Sequence, residues 1–187
     1  MHCWGKQGAQ RDRTTERRLL LLRTWPHDWE ERKAGKGCPF CAEGRVDRNR
    51  YGIRIFVGAT TDAYLQRFAP LPGYTIVVWR GRHLPDPADL TDDEVCAYES
   101  EVLTVARALR RHFQPAQVNY LTLGNQIPHL HTNVVLRYVD DPAPAGTVDL
   151  SGSKPIADDE LEEQAATLRA ILRRPIEGSI PPGEPYS

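Results

Sequence analysis

The stretch His129-Leu130-His131-Thr132-Asn133-Val134-Val135-Leu136 restricts the possible folds more than any other part of the chain. An extended backbone sends successive side chains to opposite faces, so His129, His131, Asn133 and Val135 share one surface while Leu130, Thr132, Val134 and Leu136 share the other. The second set can rest on a core. The first set carries two imidazoles and a carboxamide, whose polar atoms need partners or water wherever they are placed. Two readings are open at this point: a polar edge strand, or a sheet face that carries chemistry.

The remaining elements fit around that strand. Tyr51 to Val57, Ala63 to Phe68 and Tyr74 to Trp79 are rich in β-branched and aromatic residues and read as three strands, with a turn at Leu71-Pro72-Gly73. Gln117 to Leu123 reads as a fourth strand, turning at Gly124 and Asn125 into the His129 strand. Thr91-Asp92-Asp93-Glu94 has the form of a capping box. The helix it opens carries Val95, Tyr98, Val102, Val105, Leu109 and Phe113 at spacings of three and four, one apolar stripe to lay across a sheet. Pro26 and Gly35 bracket a short helix. The fold class expected is α+β: an antiparallel sheet of about five strands with one long helix packed across it.

The 187 residues suit one domain with extensions. Residues 1–23 are polar and arginine-rich and read as a flexible tail, the compact domain runs over 24–146, and 147–187 hold a linker, a charged helix over Ala157 to Arg174 and a disordered end. A net charge of -1 argues against a general nucleic-acid binder, because affinity for a phosphate backbone comes from clustered Lys and Arg. No apolar run approaches a membrane span, and the chain reads as cytoplasmic.

Of the four cysteines, Cys3 is uninformative, Cys96 falls at an apolar position of the long helix and is expected in the core, and Cys38-Pro39-Phe40-Cys41 forms a knuckle. In a reducing compartment such a pair is a metal or redox element more often than a disulfide. Two thiolates with imidazoles suit tetrahedral zinc, and Cys38, Cys41, His83 and His129 are one possible set; a reduced pair without metal is the alternative. If His129 binds metal, His131 stays free on the same face. A neutral imidazole held by a hydrogen bond at one nitrogen is a competent nucleophile towards phosphorus at the other.

The segment from Gly124 to Val135 resembles the motif of the histidine triad superfamily, nucleotidyl hydrolases and transferases with the signature His-φ-His-φ-His-φ-φ. The Cys38-Cys41 pair, the Pro72-Gly73-Tyr74 turn, Arg82-His83, the capped helix and the Asn119 to Gly124 approach fall in the family's order, so the resemblance spans about residues 25–146. It implies a nucleotide substrate attacked at its α-phosphate by His131, with Asn133 and Gln126 assisting. It implies structural Zn2+ on Cys38, Cys41, His83 and His129. Gln66 takes the position that contacts the ribose, and Asn119, Asn125 and Gln126 take those that contact phosphates or the scissile oxygen. A homodimer is implied too.

The sequence departs from the pattern at three positions, one of them Gln66, which is bulkier than the usual Asn or Asp. Asn133 stands where the third histidine belongs, as glutamine does in galactose-1-phosphate uridylyltransferases, and Tyr74 replaces a histidine common after the turn glycine. An amide can donate to a phosphate oxygen but cannot carry an imidazolium's charge. A nucleotide-binding module with weakened turnover is therefore the competing reading. A cupin-type metal site lacks its glutamate after the second histidine, and a zinc-knuckle nucleic-acid binder lacks its basic and aromatic surround.

Overall fold

The computed structural model describes residues 25–148 and 153–173; the tail expected over 1–23, Cys3 and the C-terminal stretch 179–183 lie outside them. Two short helices come first, α1 (Trp29–Lys33) and α2 (Pro39–Glu43). Strands β1 (Gly52–Val57), β2 (Thr61–Gln66), β3 (Phe68–Ala69) and β4 (Thr75–Trp79) follow, then helix α3 (Asp92–Phe113). Strands β5 (Gln117–Thr122), β6 (His131–Arg137) and β7 (Lys154–Pro155) precede helix α4 (Asp158–Leu172). Five of the strands form one antiparallel sheet in the order β1-β2-β4-β6-β5, and β3 pairs with β7 in a small separate ribbon. This is the expected α+β architecture. No helix among the described residues is long and apolar enough to cross a membrane.

One face of the sheet carries the core. Ile53, Leu65, Val77, Trp79, Val134 and Leu136 point into it, and α3 covers them with Tyr98, Val102, Val105 and Leu109. The capping box forms as its spacing requires: Glu94 N donates to Thr91 Oγ1 at 3.4 Å, and Thr91 N donates to Glu94 Oε2 at 2.9 Å. Two expectations for this helix fail. Cys96 is exposed, because two residues of helix turn it about 200° from the core-facing Tyr98. Val95 is also exposed, so the buried stripe begins at Tyr98. Gly73 adopts a left-handed φ of 77° at the entry to β4, and a Cβ there would stand 2.6 Å from Leu136 Cδ1. Glycine meets both demands of that turn.

Helix α4, placed beyond the compact part by its sequence context, is packed into the same core. Leu161, Ala165 and Leu168 have no exposed surface, and Arg169 Nε donates to the Arg54 carbonyl on β1 at 2.9 Å. The chain reaches it by crossing the opposite face of the sheet. Arg137 there donates to Asp141, to the carbonyls of Ala143 and Gly146 and to Asn119 Oδ1, tying the loop after β6 against the sheet. Val148 and Ile156 then cover Ala69, Tyr74 and Val135. If α4 is integral, Leu168→Ala leaves a cavity and should lower unfolding free energy by about 2–5 kcal/mol, read from urea melts. An unchanged midpoint would show that the helix is only appended.

Candidate metal centre and nucleophile

The strand expected from His129 begins at His131. His129 sits in a tight turn before it, its N–H donating to the Ile127 carbonyl at 2.8 Å. Leu130 closes the turn from both sides, donating to the Leu84 carbonyl and accepting from Trp79 N. That pairing brings the loop after β4, with His83, beside His129. Helix α1 completes the enclosure: the Lys33 carbonyl, one of the acceptors a helix leaves open at its C-terminus, lies 3.1 Å from His83 Nε2, and the backbone of Gly35 backs the ring so closely that a Cβ would stand 3.0 Å from it.

Cys38, Cys41, His83 and His129 converge, with their ligand atoms all within 4.8 Å of one another. Cys38 Sγ is 3.4 Å from His129 Nδ1, and Cys41 Sγ is 3.5 Å from the Nδ1 of both His83 and His129. A tetrahedral zinc with ordinary bond lengths needs sulfur-to-nitrogen separations of about 3.6 Å. The tautomers fit as well. His129 Nε2 faces the Trp79 carbonyl at 2.8 Å and His83 Nε2 faces that of Lys33, so each ring donates outward and turns an unprotonated Nδ1 inward. Burial pushes the His129 imidazole down to about 4, with the nearby His83 and Arg80 adding to the effect, and it raises the Cys41 thiol. A cation among the four groups reverses the preference of the Cys41 thiol for its neutral form. The cluster fits a structural zinc site with no ligand position left open.

His131 stands next to this centre and takes no part in it. Its Nδ1 lies 2.6 Å from the His129 carbonyl, an acceptor, so the proton sits on Nδ1 and Nε2 keeps its lone pair. Burial holds its pKa below the ordinary histidine value, partly offset by that hydrogen bond. The Phe40 ring lies edge-on to both imidazoles, with centroids 5.5 Å from His129 and 5.3 Å from His131. Both rings therefore flank one aromatic side chain of the knuckle.

Strand register decides which other residues accompany His131. Asp62, Val78 and His131 form one row across β2, β4 and β6, and Tyr64, Ile76, Asn133 and Leu121 form the next. Asn133 shares the face of His131, but both ends of its amide are engaged: Oδ1 accepts from Tyr74 Oη at 2.6 Å, and Nδ2 donates to the Leu121 carbonyl at 2.9 Å. Asn133 and Tyr74, the two residues that stand where the pattern has histidine, thus touch each other. Burial pushes the Tyr74 phenol up to about 12, which keeps it a donor.

Gln66 is on this face but further along β2, buried, with Nε2 donating to the Tyr64 carbonyl at 3.0 Å. The structure does not bring Asn119 to His131. It pairs with Val135, about 13 Å along the strand, and its Oδ1 is held by Arg137. Asn125 and Gln126 are exposed in the loop before His129, where they line clefts against α1 and the knuckle. Sequence reasoning missed Phe40, Asp62 and Arg80. The one available signal was an aspartate beside the β-strand segment Ala63 to Leu65, where burial demands a cation.

Residues 54–139 match the family model of the HIT domain. A histidine triad (HIT) protein of Sinorhizobium meliloti is 25% identical, with a TM-score of 0.58 over 65% of this chain and 90% of that one. This is the histidine triad fold. A Zn-bound histidine triad family protein from Mycobacterium smegmatis is 24% identical, with a TM-score of 0.54 over 74% of this chain and 94% of that chain. A member of the HIT family from Bacillus subtilis is 24% identical, with a TM-score of 0.51 over 75% and 99%. A search of the curated proteins gives no match. Within this histidine triad fold, zinc measured by plasma mass spectrometry should be equimolar with the chain. Cys41→Ala should lose it and His131→Ala should keep it; retention in the cysteine variant would rule out the assigned ligands.

Proposed function

We propose that the protein is a nucleotidyl hydrolase or transferase that works through a covalent bond between His131 Nε2 and the α-phosphorus of a nucleotide, such as a dinucleoside polyphosphate or nucleoside phosphoramidate. The observation that carries this reading is the Nδ1 contact with the His129 carbonyl, which aims an unprotonated Nε2 away from the backbone. Attack by Nε2 forms a P–N bond as the bond from phosphorus to the leaving group breaks, and the leaving group takes a proton from its surroundings. Water or another acceptor then attacks the same phosphorus, loses its proton, and releases the imidazole. Zinc, when bound, ties the knuckle to the His129 turn. The Zn-bound relative from Mycobacterium smegmatis supports that assignment.

A specific observation favours a second reading. With its oxygen on Tyr74 and one of its two amide protons on the Leu121 carbonyl, Asn133 keeps a single donor and no positive charge for a phosphate oxygen, and a charge-stabilising contact of this kind is typically worth about 3–4 kcal/mol in a transition state. A nucleotide-binding module with little turnover would follow. The two are separated by mixing the protein with α-labelled dinucleoside polyphosphate and quenching in denaturant. Wild type should retain label that His131→Ala does not. Reversible binding with no label on either protein would favour the module.

The reading includes a homodimer. Strand β5 lies at the end of the sheet, and Tyr120 and Leu123 are exposed there, as is Leu103 of α3. An unpaired edge flanked by apolar side chains suits pairing with a second copy. Sedimentation velocity should give a dimer that Tyr120→Glu weakens; a monomeric wild type at micromolar concentration would remove this part of the proposal.

A further inference from the structure

Helix α2, which carries the knuckle, has five residues, none of them buried. A helix so short has no stability of its own, and the ring contacts of half-buried Phe40 are the main packing it has. Its position depends on tethers. The most buried of these is Arg80, the residue after β4, whose side chain is only 6% exposed. Each of its three guanidinium nitrogens has a partner: Nε donates to Asp62 Oδ2 at 2.9 Å, Nη2 to the Tyr64 hydroxyl at 3.0 Å, and Nη1 to the Phe40 carbonyl at 2.9 Å. Asp62 has no exposed surface and also receives Arg45, so the anchor is rooted in the sheet.

Phe40 lies between the two thiols in sequence, and its ring touches both imidazoles. One residue therefore has its carbonyl held by Arg80 and its side chain set against the metal ligand His129 and against His131. We infer that Arg80 is a positioning residue: anchored by Asp62, it fixes the Phe40 carbonyl, and through Phe40 it sets both the geometry of the thiolate pair and the orientation of the His131 ring. Lysine cannot replace it. An ammonium is a point charge on a flexible stem, whereas this site uses a planar fork whose donors reach three acceptors on two segments, β2 and α2. The last link, from Phe40 to His131, rests on the reading of His131 as nucleophile. The anchoring of the knuckle does not.

The full chain with Arg80→Lys and Arg80→Ala tests this, the lysine variant keeping a cation beside Asp62 so that the fold survives. Amide hydrogen exchange over residues 40–44 should accelerate in both variants and not in Arg82→Ala, a control whose guanidinium serves Glu94 and the Asp89 carbonyl instead. Zinc affinity, read by competition with a chromophoric chelator, should fall 10- to 100-fold with the knuckle loosened. Phe40→Leu keeps the carbonyl and should leave exchange and zinc affinity unchanged while lowering kcat for nucleotidyl transfer with KM unaltered. Unchanged exchange in both Arg80 variants would overturn the inference, and unchanged kcat in Phe40→Leu would sever the link to His131. A wild type that never forms a nucleotidyl-enzyme would sink the His131 reading, while the exchange arm still decides the anchor.

Discussion

Strand β6 is buried on both sides along its whole length, yet four of its seven residues are polar. A buried polar group without a partner costs about 1–3 kcal/mol, so such a strand persists only if its polar atoms are paired. They are. Thr132 Oγ1 bonds Tyr98 and Thr122, Asn133 bonds Tyr74 and Leu121, Arg137 ties down the following loop, and His131 uses Nδ1 on the His129 carbonyl. The last pairing does two things at once. It removes a buried donor, and it selects the tautomer that leaves the other nitrogen nucleophilic.

The metal cluster belongs to the same economy of partners. Its four residues come from three separate segments: the knuckle, the loop after β4 and the turn before β6. Each histidine spends its outer nitrogen on a backbone carbonyl that secondary structure leaves open, Lys33 at the end of α1 and Trp79 at the end of β4. The edges of regular structure thus become the outer support of the cluster. The part of the sheet beyond Asn133 is closed by chain following β6.

Features that depend on neighbours in sequence were legible in advance. The alternation through His131, Asn133 and Val135, the capping box at Thr91, the knuckle spacing and the apolar stripe of α3 each follow from one local period. Features that depend on register were not. Asn119 lies five residues before Gly124, which suggests proximity to the motif, yet antiparallel pairing sets it opposite Val135. Helix α4 showed an apolar face but nothing to identify its partner. Cys96 was misread because thiols count as apolar, while its angular position on the helix faces water. Asn133 was placed on the right face; that Tyr74 would claim its amide depends on a diagonal contact between strands that no single-strand pattern contains.

The packing of α4 bears on how much of this polypeptide is needed to make a stable unit. The segment that matches the family model, residues 54–139, omits both thiolate donors at one end and Leu161, Ala165 and Leu168 at the other. A fragment trimmed to that segment would bare an oily groove between α3 and β1 and would have only half the ligands for a metal. The folding unit is therefore wider than the stretch that matches the family model, and excising the latter would yield an aggregating remnant rather than a minimal domain.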